Sequence, residues 1–386
     1  MGKSESWRCR VRELPILPTA ELKKSEVVLR RAHIVLGWIM HFYIHSLPPD
    51  VPVVIPPPVT IPLLQVCAEL QLPPVLTYSD DVLYNWQLKI PSEDGSIALD
   101  NLRCQTLFTG TVDEEEFYLT SSRIELKGVE ALELMQATMD EAFVGDEIAI
   151  RRITSYLHKM TTVIDELRKI LLTVRDGCRP DVFYHEIRPW FRGQDSDRNK
   201  REWVFDGLDQ DPSLRAPTEL SGPSAGQSSL VHALDIFLGV DQYSHASALT
   251  GSGTSSADAA QAKAAFLDRM QLYMPRHHRT FLNHLAANPR PLRQIVATAG
   301  DAPLLEAYNT AVVAMKGFRD AHMIVVALYI IGPSRRPAPG AVPVVRPNFT
   351  KDYGEAAPLK GTGGTELVKF LKDVRDRTAG AVLPST

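Results

Sequence analysis

Few of the residues that mark disulfide-rich or zinc-stabilised domains occur in this chain. Four cysteines are spread over 386 residues, and no two of them form a C-x-x-C pair: Cys9, Cys67, Cys104 and Cys178. No recognisable signal peptide precedes them. We therefore expect neither a disulfide framework nor a structural zinc site, and a reducing, cytoplasmic location.

The chain also lacks an excess of positive charge. Lysine and arginine together number 42 against 46 acidic residues, which gives a formal net charge of -4. No basic stretch is interleaved with aromatic residues, as a nucleic-acid-binding surface requires. We expect no nucleic-acid partner.

Long apolar runs are missing as well. The longest run near the N-terminus, residues 34–44, contains His41 and follows Arg30 and Arg31. It is shorter than the roughly 20 residues that a membrane-spanning helix needs. We expect a buried helix at this position and no membrane partner.

What the sequence does have is the periodicity of amphipathic helices. With 44% hydrophobic and 23% charged residues, the chain can bury a large core. The pattern predicts an all-α fold with a small N-terminal part. The predicted helices cover residues 25–45, 63–70, 80–86, 124–143, 147–175, 182–191, 227–238, 257–273, 279–287, 291–299, 303–331 and 366–378.

The segments between these helices carry other signals. The prolines of residues 47–62 predict a linker or an extended wrap. Residues 104–108 and 116–120 are rich in β-branched and aromatic side chains, which predicts a small hairpin. Residues 193–224 and 334–364 are long irregular stretches of the kind that form lids or mobile loops. Residues 246–260, rich in serine, glycine and alanine, predict a flexible surface excursion.

Two segments of small residues are candidates for ligand contact. Residues 221–229 open a helix, where small side chains allow a flat ligand to approach backbone N–H groups, although an ordinary capping loop has the same composition. The segment is not a serine hydrolase motif, because no strand precedes it. Residues 361–365, Gly-Thr-Gly-Gly-Thr, lack the lysine of a P-loop, and we expect a loop that closes over a ligand.

One histidine stands alone on an apolar helix. His322 has Arg319 one turn earlier, an arrangement that suits an imidazole reaching a buried metal while a charge fixes its surroundings. On this segment alone, a lone histidine is more often a hydrogen-bonded core residue than a metal ligand. Phe183 and Arg188 also share a predicted helix, where they could offer an aromatic wall and a guanidinium for a substrate carboxylate. Arg188 could instead form an ordinary salt bridge.

Several of these residues follow one another in an order that resembles the indoleamine 2,3-dioxygenases. The matching motifs are residues 72–78, Phe183 with Arg188, residues 224–229, Tyr273-Met274-Pro275 with His278-Arg279, Arg319 with His322, and residues 361–365. The resemblance covers roughly residues 28–378. It implies an all-α haem protein in which a smaller, partly irregular N-terminal domain, residues 1–122, packs on a large helical haem-binding domain, residues 123–386.

The resemblance also implies a role for each matching residue near the cofactor. His322 matches the proximal ligand of the haem b iron, and Arg319 with Asp235 matches the ion pair behind that ligand. On the distal side of the haem, Phe117 and Ser121 match the pair that shapes the pocket. Serine is a poor general base, so we expect oxygen to attack the indole without prior deprotonation of its N–H group.

On the substrate side the implied roles concern packing and anchoring. Phe183 matches the aromatic residue that packs on the indole, and Arg188 matches the guanidinium that binds the substrate carboxylate. The remaining positions assigned to substrate binding are Tyr78, Ser224, Ala225, Gly226, Val231 and Thr362. Two departures fall here: Pro223 replaces a glycine of the haem-edge loop, and Val231 replaces an aromatic residue near the haem.

The function implied by the resemblance is insertion of both atoms of dioxygen across the indole C2–C3 bond of tryptophan, giving N-formylkynurenine. The partners would be a tryptophan or indole derivative, dioxygen as co-substrate, and an electron donor that keeps the iron ferrous. Two alternatives stay open at this point. One is a haem monooxygenase or peroxygenase acting on a modified indole, and the other is a non-catalytic haem-binding signalling protein.

Overall fold

Helices form nearly all of the regular structure. The computed structural model describes residues 4–197, 200–240, 268–336 and 367–384. The helices are α1 (Glu5–Arg12), α2 (Glu26–His45), α3 (Pro57–Leu70), α4 (Val112–Lys127), α5 (Val129–Val144), α6 (Glu147–Leu172), α7 (Ser229–Phe237), α8 (Arg276–Ala286), α9 (Leu292–Ala299), α10 (Ala302–Val326) and α11 (Leu367–Gly380). The all-α prediction is confirmed.

Short helical turns connect these helices. Three of them are π-helical, namely Ser79–Leu83, Phe183–Ile187 and Ala327–Ile331. The others are Leu22–Lys24, Val174–Gly177, Pro180–Val182, Arg188–Phe191, Gln194–Ser196, Leu208–Gln210, Ala225–Gln227 and Gly332–Ser334. The predicted helix over residues 182–191 is thus a π turn followed by a 3-10 turn.

Polar side chains cap several of the long helices, as expected from their sequence. Ser25 accepts a hydrogen bond from the Val28 N–H group at the start of α2. Asp146 caps α6 at 2.7 Å, and Asp301 caps α10 at 2.7 Å. Each oxygen satisfies an N–H group that the helix itself leaves without a partner. The boundaries of these helices are therefore encoded locally.

Four short strands form two small sheets. β1 (Val53–Ile55) pairs in parallel with β4 (Trp203–Phe205), and Val54 lies opposite Val204. β2 (Trp86–Leu88) pairs antiparallel with β3 (Leu102–Cys104). β4 lies inside the predicted irregular stretch 193–224. It gives that stretch a fixed attachment to the N-terminal part of the chain.

The predicted hairpin over residues 104–108 and 116–120 is wrong. The second segment belongs to α4, which begins after Thr111, and the first contributes only Cys104 to β3. Thr111 and Glu114 form the start signal of α4: the Thr111 hydroxyl accepts from the Glu114 N–H group, and the Glu114 carboxylate accepts from the N–H groups of Phe108 and Thr109. This capping arrangement outweighs the β propensity of the side chains that follow.

The predicted linker over residues 47–62 is wrong in its second half. Residues 57–62 are the first turns of α3, and Pro57 and Pro58 occupy its first two positions. The missing N–H group of proline costs nothing there, because those groups have no partner within the helix. Pro62 lies inside α3 and is buried.

A glycine divides the predicted helix over residues 124–143. Gly128 separates α4 from α5, and a Cβ atom at this position would lie 2.1 Å from the Cδ2 atom of Leu230. The absence of a side chain lets α7 approach the bend closely. The bend thus helps to place Asp235, which α7 carries.

Three hydrophobic clusters hold the described part of the fold together, and two of them lie apart from the aromatic residues around Phe183 and Tyr329. One lies between α5, α6, α7 and α10 and includes Ile153 and Tyr308. The other contains residues of α2 and α3 together with Trp203 and Phe205 of β4. The boundary between residues 122 and 123 stays a prediction; α4 continues through it.

Helix α2 has the length and hydropathy of a membrane-spanning segment. More than half of this apolar segment, 56%, is buried within the protein. Met40 and Ile44 are fully buried in the second cluster. In this structure α2 is a core helix that packs on α3.

Two histidines of α2 are held in the neutral form. His41 donates from Nδ1 to the Trp190 carbonyl at 3.0 Å and accepts at Nε2 from the Leu76 N–H group at 3.2 Å. Burial lowers the pKa of His41 to about 4. His45 donates to the Arg192 carbonyl at 3.0 Å, and burial lowers its pKa well below the usual value.

The neutral state of His41 makes the stability of the protein sensitive to acid. Between pH 6.5 and about 4 the unfolded chain binds a proton at this position and the folded chain does not. The free energy of unfolding therefore falls by about 1.4 kcal/mol per pH unit for this group as the pH decreases. We expect His41→Gln to lose less stability than wild type between pH 7.5 and 5.5 in urea unfolding.

His33, on the same helix, contributes to stability with the opposite pH dependence. Its Nδ1 atom lies 2.9 Å from Oδ1 of Asp80; burial acts to lower its pKa, but the combined interactions with Asp80 and Cys67 raise it well above the usual value. That pair stabilises the folded state below pH 6.5 and loses its effect as pH rises through the raised pKa. Equal pH dependence in wild type and His41→Gln would contradict the assignment for His41.

Candidate active site

A single deep cavity brings together most of the residues singled out in the sequence. It contains about 1090 Å³ of empty space, including the part that is open to solvent. Its walls come from α4, α10 and the loop before α7. The lining residues are Tyr78, Asp81, Val82, Phe117, Tyr118, Ser121, Phe183, Arg188, Phe191, Pro223, Ser224, Ala225, Gly226, His322, Val325, Val326, Tyr329, Ile330 and Leu371.

All three π turns of the described chain contribute to this cavity. The first provides Asp81 and Val82, the second provides Phe183, and the third provides Tyr329 and Ile330. A π turn inserts one extra residue into a helical turn and thereby redirects the side chains around it. Such turns occur frequently at functional sites, and here they converge on one place.

His322 lies on the cavity-facing side of α10. Its spacing from Val325, Val326 and Tyr329 places all four side chains on one helical face. Burial, together with the positive charge of Arg319, lowers the pKa of His322 to about 4. The imidazole is therefore neutral at physiological pH, which is the form that coordinates a metal.

The ion pair predicted behind His322 is present. One guanidinium nitrogen of Arg319, Nη2, donates to both carboxylate oxygens of Asp235 on α7. The other, Nη1, donates to the Thr378 hydroxyl of α11 and, at 3.3 Å, to the Val374 carbonyl. Arg319, which lies three residues before His322 on α10, thus connects α10 to α7 and α11.

Removing the carboxylate from this pair should destabilise the protein. Asp235→Ala leaves the buried Arg319 guanidinium without its counter-charge, and such losses typically cost about 3 kcal/mol. We expect a correspondingly lower midpoint in urea unfolding followed by circular dichroism. The double variant Asp235→Leu with Arg319→Leu, which removes both charges, should recover part of the loss. A double variant less stable than the single one would contradict this explanation.

Three phenylalanines form an aromatic wall of the cavity. The ring centroids of Phe117 and Phe183 are 4.4 Å apart, and those of Phe117 and Phe191 are 5.8 Å apart with nearly parallel planes. Phe183 also meets Tyr329 edge to face at 5.8 Å. Such a wall suits a flat aromatic ligand. Ser121 lies one turn after Phe117 on α4 and also lines the cavity.

Arg188 contributes the cationic group of the cavity. It follows the second π turn and is only 7% exposed, and its guanidinium lies 5.6 Å from the Tyr184 ring centroid. A guanidinium in an apolar cavity suits a carboxylate ligand, because two parallel hydrogen bonds can form. The position of Arg188 in the cavity is therefore compatible with the predicted binding of a substrate carboxylate.

A buried carboxyl group connects Tyr78 to the loop before α7. The Tyr78 hydroxyl donates to Oε1 of Glu125 at 3.0 Å, and the Ser228 hydroxyl donates to the same oxygen at 2.6 Å. Burial raises the pKa of Glu125. In addition, the Tyr78 N–H group donates to the Gln227 side chain at 2.8 Å. These bonds fix the first π turn against residues 224–228.

The loop of small residues is held close to the aromatic wall. A Cβ atom on Gly222 would lie 1.9 Å from the Phe191 carbonyl oxygen, so only glycine fits there. The Ser224 hydroxyl accepts from the Gly226 N–H group at 3.2 Å, and His232 Nε2 lies 2.9 Å from the Gly226 carbonyl. Ser224, Ala225 and Gly226 all line the cavity.

Two predicted substrate residues are not placed in the cavity. Val231 packs against the cluster between α5, α6, α7 and α10 and is not among the lining residues. Thr362 lies outside the described residues, as do residues 246–260, 337–366 and most of the predicted helix over residues 257–273.

Sequence reasoning missed several residues that line the cavity. Phe191 and Tyr118 are apolar neighbours of predicted residues, and the only signal would have been that proximity. Asp81 is a more informative omission, because it is a carboxyl group in an otherwise apolar wall. Its sequence neighbour Asp80 makes the two look like an ordinary helix start, which hides the difference between them.

The residues present fit a haem group. His322 offers a neutral imidazole that forms no hydrogen bond within the described part of the chain. The cavity around it is mainly aromatic and aliphatic, and residues 224–226 have small side chains that allow a flat macrocycle to approach. Within the described residues no group of three or more histidine, cysteine or acidic side chains could hold a metal ion.

A family model decides the class of protein. The model described as indoleamine 2,3-dioxygenase matches residues 1–381. This chain belongs to the indoleamine 2,3-dioxygenase family. Members of that family are oxidoreductases that use haem iron and dioxygen, so the predicted cofactor and enzyme class are confirmed.

Curated relatives agree with this membership of the indoleamine 2,3-dioxygenase family. Indoleamine 2,3-dioxygenase of Saccharomyces cerevisiae is 36% identical over 369 residues, which cover 91% of this chain and 77% of the relative. Indoleamine 2,3-dioxygenase 1 of Rattus norvegicus is 30% identical, covering 97% and 85%. A relative named myoglobin, from Haliotis diversicolor, is 32% identical and covers 97% and 87%.

Proposed function

We propose that this chain cleaves the indole C2–C3 bond of L-tryptophan, or of a substituted indole, with dioxygen to give an N-formylkynurenine-type product. The observation that carries the proposal is one cavity lined by a neutral imidazole, an aromatic wall and a guanidinium: His322, Phe117 with Phe183, and Arg188. Haem would use the imidazole, and an amino acid with a flat aromatic side chain would use the aromatic wall and the guanidinium.

The residues around the cavity take the following roles in this proposal. His322 would hold the haem iron, and Arg319 with Asp235 would fix the helix face that presents it. Haem supplies the chemistry that activates dioxygen when it is bound. The protein contributes orientation and exclusion of water. Residues 224–226 would lie along the haem edge, and Thr362 keeps its proposed contribution to substrate binding.

Positioning of the substrate relies on two anchors. Arg188 would hold the substrate carboxylate through paired hydrogen bonds, while Phe183 and Phe117 would pack on the indole ring. Tyr78 would form part of the pocket wall, supported by its bond to Glu125. Ser121 is the hydroxyl that would lie nearest to the distal side. A neutral hydroxyl has little affinity for a proton and is a poor base, so the indole N–H would stay protonated when the ring reacts.

The decisive experiment follows the fate of both oxygen atoms. Purified protein reconstituted with haem, reduced, and supplied with L-tryptophan and ¹⁸O₂ should form N-formylkynurenine that carries two labelled atoms. A product with a single labelled oxygen would show monooxygenation. Reversible oxygen binding without any product would contradict the proposed reaction and indicate an oxygen-binding protein, as is the relative named myoglobin.

The proposal also concerns the cellular location and the redox partner. We propose a cytoplasmic enzyme that depends on an electron donor to keep the iron ferrous. All four cysteines are free thiols, as a reducing compartment allows. The division into residues 1–122 and 123–386 would place the first π turn and most of α4 in the smaller part and His322 in the larger one.

A further inference from the structure

Asp81 is a carboxyl group whose hydrogen-bonding capacity is unused. The residue lies in the first π turn, is 3% exposed, and lines the cavity. Its Oδ1 atom is buried without a hydrogen-bond partner among the described residues. Val82, Phe117 and Tyr118 line the same cavity, and the Tyr118 hydroxyl is likewise buried without a partner among the described residues. A buried polar atom without a partner is costly, and native proteins rarely keep one without a reason.

The neighbouring carboxylates show that the fold can satisfy such groups. Asp80 accepts from the N–H and hydroxyl groups of Thr77 at 2.7 and 2.8 Å and lies 2.9 Å from His33. Glu114 accepts from the N–H groups of Phe108 and Thr109. Both carboxylates serve the fold. Asp81 stands next to Asp80 in the chain, yet it lines the cavity and its Oδ1 atom has no partner among the described residues.

The surroundings of Asp81 favour its neutral form. Burial is the main cause, and the nearby negative charges of Asp80 and Glu114 act in the same direction, so the pKa of Asp81 is raised well above its usual range. A neutral carboxyl group offers one O–H donor and one carbonyl acceptor. It can therefore bind a hydroxyl group in both directions, or accept from an N–H group, without placing a charge in the apolar cavity.

We propose that Asp81 determines which indole substrates the site accepts, by hydrogen bonding to a polar group on the substrate ring. The two possible groups are a hydroxyl on the indole and the indole N–H. The inference rests on the proposed function, because it assumes that an indole occupies the cavity. Arg188 would bind the substrate carboxylate, and Asp81 would hydrogen-bond to the polar group on the indole ring. An unsubstituted ring edge placed against Asp81 would instead leave the carboxyl group without a partner.

The test compares binding of three kinds of ligand to the haem-loaded protein. Isothermal titration calorimetry gives dissociation constants for L-tryptophan, for the ring-hydroxylated tryptophans, and for 1-methyltryptophan, which has neither a ring hydroxyl nor an indole N–H. We expect Asp81→Ala to weaken binding of the recognised ligand by about tenfold relative to 1-methyltryptophan. Asp81→Asn, which keeps a donor and an acceptor, should retain most of that preference.

The pattern of loss identifies the group that Asp81 binds. Selective weakening of one hydroxytryptophan isomer indicates the ring hydroxyl, whereas equal weakening of tryptophan and all hydroxytryptophans indicates the indole N–H. Val82→Ala is the matched control, since Val82 lines the same wall and has no polar group. It should change the affinity for all ligands to a similar extent.

Unchanged affinity ratios in Asp81→Ala would overturn the inference, because the carboxyl group would then bind only water. We expect this variant to fold, since no hydrogen bond from the described residues to the carboxyl group is lost. If it does not fold, Asp81→Leu, which fills a similar volume without a polar atom, provides the same comparison. Binding does not require turnover, so wild-type protein that binds indoles selectively but forms no product would contradict the proposed function and leave the inference standing.

Discussion

Protein carrying His322→Ala should be purified almost without haem. Among the described residues, His322 is the only histidine that lines the cavity. Burial and the charge of Arg319 keep its imidazole neutral. Loss of a group that only supports a metal ligand typically costs 10–100-fold in affinity, so loss of the ligand itself should cost more than about 100-fold. The measurement is haem content per polypeptide from the Soret absorption, followed by turnover of L-tryptophan.

An exposed histidine provides the control for this variant. His284 lies on α8 away from the cavity, and His284→Ala should keep the haem content of wild type. Added imidazole should restore part of the Soret band of His322→Ala, because the free ligand can enter the space that the side chain leaves. Full haem content in His322→Ala without imidazole would refute the assignment of the iron ligand.

Replacing Arg188 with alanine should separate recognition of the carboxylate from the rest of catalysis. Charge-assisted hydrogen bonds contribute about 1.5–3 kcal/mol each, so the loss of a pair should lower kcat/KM for L-tryptophan by at least about 100-fold in Arg188→Ala. The loss should appear mainly as a higher KM, because the carboxylate is bound in the ground state and the transition state alike. Steady-state kinetics on the reconstituted, reduced enzyme provide the measurement.

Tryptamine, which lacks the carboxylate, is the matched substrate control. Arg188→Ala should change its kcat/KM little compared with the change for L-tryptophan. Arg188→Lys should recover only part of the affinity, because an ammonium group cannot form two parallel hydrogen bonds to one carboxylate. Similar losses for both substrates would mean that Arg188 supports the cavity wall and does not bind the carboxylate.

Local sequence signals predicted most helices but failed where caps and prolines compete with propensity. The apolar repeat of α10 was sufficient to predict a long helix and to place Arg319 and His322 one turn apart. By contrast, the Thr111–Glu114 capping signal was overlooked, and residues 116–120 were assigned to a strand. Strand β4 was also missed, since its partner β1 lies about 150 residues earlier and short strands depend on such distant pairing.

The candidate site shows the same division more clearly. The resemblance to the indoleamine 2,3-dioxygenases implied nine of the cavity residues, among them His322, Phe183 and Arg188. It also predicted the pairing of Arg319 with Asp235, whose contact joins positions 84 residues apart. Val231 was expected in the substrate pocket, but the direction of a side chain on α7 depends on how that helix packs, and it faces the core cluster.

The sequence by itself thus determined the helical class, the family and the identity of the groups available for chemistry, because periodicity and motif order are properties of the chain. Only the tertiary structure decided that three π turns converge on one cavity and that Asp80 is fully bonded while its neighbour Asp81 is not. Both facts depend on packing between distant segments. Two adjacent aspartates can therefore differ completely in environment. Asp81, which lines the cavity, is the one that we expect to determine substrate preference.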